Sequence, residues 1–390
     1  MRKDLTVTED QGRALDKIKT WFKQNKYRND VLILSGYAGT GKSTLLSWVR
    51  DHLGLTYSQI VFSSFTGKAT NVLAQNGLRA KTLHRLLYKS YLDKKTGKYY
   101  SRLKEEGLEE KLVVIDEASM LSEKLYNDLM KIQGDICLLF VGDDAQLPPI
   151  NSDFNIMKKP HIKLTKILRQ AALNPIIRLS RSIRNGEDWK IDNVINDEGL
   201  GYARATDENL NESIDRSFKN DVILCSRNKD RVFLNRQIRE QIHKDKKKAV
   251  GIVSKDDRLI VLDNCPMQEV FNGQLFTVVR FKKSSKHKIV IHGIEDLGSD
   301  EEMVYIHPHA FFSETPANRF DICKEHKLDF KTIGVSCDYA YCLTVHKSQG
   351  SQFDNVFLKL TDQDKWIWKD LYNRWLYTAV TRAAKNLYFL

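Results

Sequence analysis

Lys42 and Ser43 close the run Gly36-Tyr-Ala38-Gly39-Thr40-Gly41-Lys42-Ser43-Thr44, whose residue types suit the holding of a polyphosphate. The glycines permit backbone torsions that turn successive N–H groups toward an anion. Lys42 can reach the β- and γ-phosphates, and the Ser43 hydroxyl suits Mg²⁺. Leu112-Val-Val-Ile-Asp116-Glu117 ends an apolar run in two carboxylates. Asp116 offers the hard oxygen that Mg²⁺ prefers, and Glu117 suits the general base that activates a water. In Phe140-Val-Gly-Asp143-Asp144-Ala-Gln146 the amide of Gln146 could hydrogen-bond the γ-phosphate or the attacking water. Arginines that stabilise a transferred phosphoryl group are worth ~10³–10⁵ in rate. The candidates are Arg169, in Leu164-Thr-Lys-Ile-Leu-Arg-Gln, and Arg382, in Leu376-Tyr-Thr-Ala-Val-Thr-Arg.

These groups need a scaffold that brings several loops together. The apolar run 31–35 enters the glycine-rich loop, and Leu45, Leu46, Trp48 and Val49 follow at helical spacing. Apolar runs at 31–35, 61–64, 112–115 and 136–142 alternate with helix-like segments such as 68–75 and 122–132. That alternation predicts a parallel sheet with its functional loops at the carboxyl ends of the strands. A second series, Val222–Ser226, Tyr339–Thr344, Val356–Lys359 and Leu387–Leu390, predicts another such sheet. Within 88–104, Thr96-Gly97 separates two Tyr-rich runs and predicts a hairpin. Strand candidates packed closely through 258–311 predict a small β-barrel. The expected domains are 1–170, interrupted by a hairpin at 86–110; 171–262 with 336–390; and an inserted barrel at 263–335.

The 390 residues carry a net charge of +12 and a pI near 9.2, which favours a polyanionic partner. The first ten residues lack an apolar signal core, and no apolar run is long enough to span a membrane, so a cytoplasmic protein is expected. The six cysteines form no Cys-x2-Cys pair and read as reduced core thiols. His307-x-His309 has no second ligand pair nearby in sequence and reads as a chance pair.

Taken in order, these segments resemble the motif series of superfamily 1 helicases, most closely the RecD/Dda-like group of superfamily 1B. Gln11 resembles the glutamine that reads the adenine edge. Ser64-Phe65-Thr66-Gly-Lys68-Ala and Lys81-Thr82-Leu-His84 resemble single-strand-binding motifs. Tyr341-Cys-Leu-Thr344-Val-His346-Lys347-Ser-Gln349-Gly350 resembles the second-domain motif that contacts DNA and couples it to nucleotide. Tyr377–Arg382 resembles the final motif, whose arginine reaches the γ-phosphate. The series runs from about residue 5 to 388. Two positions depart from the pattern: Phe65 stands where relatives often have Pro, and Gln352 where many have Glu.

The resemblance implies an α/β protein of two RecA-like P-loop domains, with a β-hairpin pin in the first and a small SH3-like β-barrel in the second. It implies an ATP-dependent DNA helicase that uses Mg²⁺, moves 5′ to 3′ on single-stranded DNA and opens duplexes at junctions. Ala38, Gly39, Thr40, Gly41, Thr44, Gln349 and Gly350 join Lys42 and Ser43 around ATP. Ser64, Phe65, Thr66, Lys68, Thr82, His84, Thr344, His346 and Lys347 would grip the strand, and Tyr99 would stack on a base. A monomer is expected, with single-strand-binding or replisome proteins as partners and no membrane contact. An RNA helicase of the same superfamily, or a non-enzymatic nucleic-acid-binding module with a vestigial nucleotide site, are the alternatives.

Overall fold

The computed structural model describes residues 7–24, 31–92, 99–132, 136–149, 154–244, 251–263, 265, 268, 270–295, 301–315, 319–328 and 333–390. The first half builds a six-stranded sheet in the order Ala80–Thr82, Ile60–Ser64, Leu112–Ile115, Cys137–Gly142, Val31–Gly36, Ile162–Leu164. Every pairing in it is parallel. Its inner strands Ile60–Ser64, Leu112–Ile115 and Cys137–Gly142 are buried along their whole length, as strands covered on both faces must be. The loops after Gly36, Ser64, Ile115 and Gly142 therefore emerge along one edge.

The helix Lys42–Leu53 starts directly from the glycine-rich loop. It buries Leu45, Leu46 and Val49 and ends at Gly54, which takes the left-handed conformation. Helix Pro175–Asn185 has Pro at its first turn and Asn174 as its cap, accepting from Ile176 N at 2.8 Å. Ile176, Leu179 and Ile183 pack with Leu224, Trp375 and Leu376 of the second half. The second sheet runs Cys342–Thr344, Asp221–Cys225, Phe353–Leu358, Ala383–Phe389, Gly201–Arg204, Val194–Ile195. Only its last pairing is antiparallel.

Five strands close a barrel: Arg258–Val261, Leu275–Ser285, Lys288–Glu295, Glu301–His307 and Val335–Tyr339. Its first strand, and its last strand beyond Val335, lie outside the expected 263–335 insertion. The run Tyr339–Thr344, expected as one strand of the second sheet, divides. Val335–Tyr339 joins the barrel, and Cys342–Thr344 joins the sheet. Asn235 makes the break by bonding Tyr339 O at 3.1 Å and Cys342 O at 3.0 Å. Periodicity cannot locate such a change of sheet inside an apolar run. Barrel residues Leu259, Phe276, Ile291 and Val304 share one core with Ile214, Phe218, Ile223 and Phe357 of the second sheet and its helices. Arg239 and His243 fix the fully buried Asp257 beneath that core, at 3.0 and 2.7 Å.

The hairpin forms from Tyr88–Leu92 and Tyr99–Leu103, with Tyr91 opposite Tyr100. Its expected turn, Thr96-Gly97, lies outside the described residues. Tyr88 is no free stacking platform. Its hydroxyl donates to Asp128 at 2.7 Å and its ring stacks on His84, which ties the hairpin to helix Glu123–Ile132. Tyr91 is exposed. All six cysteines are free and buried.

Candidate functional site: a nucleotide cleft beside a two-domain groove

The loop after Val31–Gly36 curls with Gly39 at φ 78° and Gly41 at φ 77°, the left-handed region that favours glycine. A Cβ at Gly36 would meet Thr40 Oγ1 at 2.7 Å and Lys42 Cγ at 2.9 Å, so the tight curl requires that glycine. The Lys42 ammonium donates to Gly36 O at 2.5 Å and Tyr37 O at 3.2 Å and lies 3.9 Å from Asp143. Ser43 is exposed at the first turn of the helix, and Thr44 is half-buried beside it. Gln11 is buried behind the loop. Its amide accepts from Thr8 N at 3.0 Å and donates to Thr40 O and Gly41 O. In this form Gln11 therefore buttresses the loop rather than presenting a free edge to a base.

Asp116 follows its strand directly and accepts from Glu117 N at 2.9 Å. Burial, and then the adjacent Glu117 carboxylate, push Asp116 up to about 7. Glu117 itself sits at φ 54°, a left-handed conformation that costs a β-carbon residue of order 1–3 kcal/mol. Asp143 is fully buried, and desolvation raises it despite Lys42 and the Tyr377 hydroxyl. Gln146 is buried, and its Oε1 has no partner among the described residues. Two crowded carboxylates, a lysine bound to loop carbonyls and an orphaned amide oxygen fit a Mg²⁺–triphosphate. The cation would relieve the carboxylates, and the anion would draw on Lys42. Among the described residues no group of three or more His, Cys, Asp or Glu is arranged as a metal site.

The second domain closes over this edge. Tyr377 accepts from Ala38 N at 2.9 Å and donates to Asp143 Oδ2 at 2.7 Å. Arg374 donates to Asp144 O at 2.7 Å and Gln146 O at 3.1 Å, and Thr378 accepts from Leu147 N at 3.0 Å. Arg184 lies over the Tyr37 ring at 3.5 Å. Sequence reasoning assigned none of Tyr377, Arg374, Thr378 or Arg184. The sole signal for Tyr377 was a hydroxyl within the apolar run Trp375–Val380.

Three expected nucleotide contacts stand elsewhere. Arg382 is buried, and its guanidinium donates to Thr378 O at 3.0 Å, Ser351 O at 3.2 Å and Thr381 Oγ1 at 3.3 Å, all within its own domain. Gln349 donates to Leu147 O at 3.1 Å. Gly350, at φ 71°, leaves only 3.3 Å between a Cβ and Thr66 Oγ1. Both serve the seam between the domains, because their turn faces the first domain. The side chain of Arg169, at the start of helix Arg169–Ala172, lies outside the described residues.

A cleft of about 580 Å³ lies along the same seam, and Phe65, Thr66, His84, Thr344, His346 and Lys347 line it together with Ser226 and the barrel turn Asn272-Gly273. Thr66 caps helix Gly67–Gln75, and Thr82 caps Leu83–Leu87. Thr82 borders a second cleft, of about 770 Å³, with Lys81, Arg85 and the barrel's Tyr305. Glu295 holds the barrel against the first domain by accepting from Asn71 at 3.1 Å, and Gln274 of the barrel steadies it with a second bond at 3.1 Å. Burial pushes His346 down to about 4, which keeps it neutral beside Trp368. Lys68 was expected on the strand, but it is buried with its ammonium 4.3 Å from the Phe353 ring centroid, where it bridges the domains. Ser64 is fully buried beneath the cleft, and the side chain of Tyr99 lies outside the described residues.

Residues 8–200 match the family model described as an AAA domain, and 339–390 match the UvrD-like helicase C-terminal domain. The chain is 32% identical over 187 residues to the ATP-dependent RecD2 DNA helicase of Deinococcus radiodurans, covering 46% of this chain and 24% of that protein. It is 23% identical to the RecBCD enzyme subunit RecD of Buchnera aphidicola, covering 92% of this chain and 70% of that one. The chain is thus similar in sequence to RecD-type helicases and to the UvrD-like helicase C-terminal domain. A solved structure with the same fold is the Pif1 helicase from Bacteroides in complex with ADP-AlF3 and ssDNA. Its TM-score is 0.58 at 18% identity, covering 99% of this chain and 92% of that one. Several relatives are much longer, and the chain spans 24–43% of the length of three of them.

Proposed function

We propose that the protein is an ATP-dependent DNA helicase that moves 5′ to 3′ along single-stranded DNA and separates duplex strands at junctions. The observation that carries the proposal is a single seam. The glycine-rich loop, Asp116 and Asp143 meet Tyr377 and Arg374 across it, and Phe65 and His84 meet Thr344 and His346 a short way along it. A change in closure at one end must shift the two walls of the other.

Loop amides of Gly39–Thr44 with Lys42 would hold the triphosphate, and Ser43 and Asp116 would hold Mg²⁺. Bound there, Mg²⁺–ATP supplies the transferable phosphoryl group and the metal's neutralising charge. Glu117 takes the proton from the attacking water, and Gln146 orients that water. Arg382, once its guanidinium turns to the cleft, and Arg169 would supply positive charge. Thr66, Thr344 and Lys347 would grip backbone phosphates without reading sequence, and Phe65 offers a face for a base.

The chain is proposed to act as a monomer, with single-strand-binding or replisome proteins as partners. Among the described residues no helix is long and apolar enough to cross a membrane. A strand-displacement assay on 5′-tailed, 3′-tailed and blunt DNA duplexes, with and without ATP and Mg²⁺, tests the reading. ATP-dependent opening of the 5′-tailed substrate alone is expected. Equal opening of both tails would overturn the direction, and no opening with no DNA-stimulated hydrolysis would overturn the activity. Matched RNA duplexes in the same assay decide between DNA and RNA.

A further inference from the structure

We propose that the Tyr377 hydroxyl is the pin through which the second domain senses the state of the nucleotide loop, a role that rests on the ATP-binding reading above. Helix Tyr372–Val380 buries Trp375, Leu376, Ala379 and Val380, and its Arg374 and Thr378 bond only backbone groups of the first domain, at Asp144, Gln146 and Leu147. From it a single phenol reaches both walls of the cleft, accepting from Ala38 N at 2.9 Å and donating to Asp143 Oδ2 at 2.7 Å. Ala38 N–H belongs to the loop whose amides face the phosphates, and Asp143 lies 3.9 Å from Lys42.

Tyr377 and Asp143 are each 1% exposed, so water cannot replace the bond between them while the cleft stays closed, and Ala38 is half-buried. Losing the hydroxyl leaves a half-buried amide and a buried carboxylate short of a partner. Both are relieved when the domains part and water enters. The pin therefore ties closure to the loop's own geometry. Any ligand that reshapes the Gly36–Lys42 loop or draws Lys42 away from Asp143 changes the bonds Tyr377 can make. Tyr377 is thus a positioning residue acting through Ala38 and Asp143.

The test uses the full chain with dyes on cysteines introduced at the exposed Thr20 and Asp215. The six native thiols are buried, so labelling is selective. In single-molecule energy transfer without nucleotide, Tyr377→Phe should lower the closed-to-open ratio by about tenfold, the scale expected for these two hydrogen bonds. An unchanged ratio in a normally folded variant overturns the proposal. If Tyr377→Phe does not fold, 3-fluorotyrosine placed at 377 keeps both bonds. Its ¹⁹F resonance should then shift on saturation with ADP, and a resonance that ignores ADP overturns the proposal. Binding of a fluorescent ADP analogue to the unsubstituted protein is measured in parallel. Failure there would refute the nucleotide reading, while the energy-transfer result would still decide what Tyr377 does to closure.

Discussion

Lys42 is satisfied in this structure by its own loop, through Gly36 O and Tyr37 O, so its removal need not collapse the fold. Lys42→Ala is expected to cut ATP turnover by at least ~10²-fold while moving the thermal midpoint only a few degrees. Turnover near the unsubstituted rate, with a normal melt, would contradict the assignment. His346 gives a pH signature. Its folded value, about 4, lies below the usual 6.5, so the unfolded chain takes up the proton first as pH falls. The stability tied to its neutral form is complete above pH 6.5 and is lost as pH falls toward 4. Urea titrations of the unsubstituted protein and of His346→Gln should diverge in pH dependence across that window and run parallel from 6.5 to 8. The placing of Lys42, Ser43, Asp116, Glu117 and Gln146 just beyond the ends of strands was legible because strand–loop chemistry fixes such positions locally. Tyr377, Arg374 and Lys68 were not. What each does depends on a surface supplied more than 200 residues away, which no local pattern records.

At the level of elements, four strands of the first sheet (Val31–Gly36, Ile60–Ser64, Leu112–Ile115 and Cys137–Gly142) and the helices Gly67–Gln75 and Glu123–Ile132 fall within a residue or two of the expected runs, while the edge strands Ala80–Thr82 and Ile162–Leu164 were not read. Burial on both faces leaves little freedom in such segments. The barrel was legible as closely spaced strands from Arg258 onward but not in its last strand, because Val335–Tyr339 looks equally fit for a flat sheet. The hairpin carries its own prediction. Its base is fixed by Tyr88 on Asp128 and by the Lys89–Glu106 pair, so shortening the tip leaves the first domain intact. Deleting residues 93–98 should abolish strand separation yet preserve DNA-stimulated hydrolysis. Strand-displacement and phosphate-release assays on the same preparation check this, and loss of both activities would argue against a wedge.

Across the whole molecule, the groove is closed by three bodies, the first domain, the second domain and the barrel. Asn71→Asp places a carboxylate against Glu295 where a hydrogen bond now joins barrel and first domain. Like charges at that distance cost about 1 kcal/mol or more, so single-stranded DNA affinity should fall several-fold, with the loss growing as salt is lowered. Fluorescence anisotropy from 50 to 300 mM salt measures it. ATP binding without DNA should be unaffected. The core shared by the barrel and the second sheet has a consequence for how this chain is made. A barrel with Leu259, Phe276, Ile291 and Val304 packed on Phe218, Ile223 and Phe357 is not a module that can be excised or grafted. Its strands are bracketed in the chain by Asp221–Cys225 and Cys342–Thr344, so the ribosome releases the barrel before the last strands of the sheet that completes it. The second half should therefore fold as one cooperative unit, late and nearly all at once, only when the strand Ala383–Phe389 has emerged.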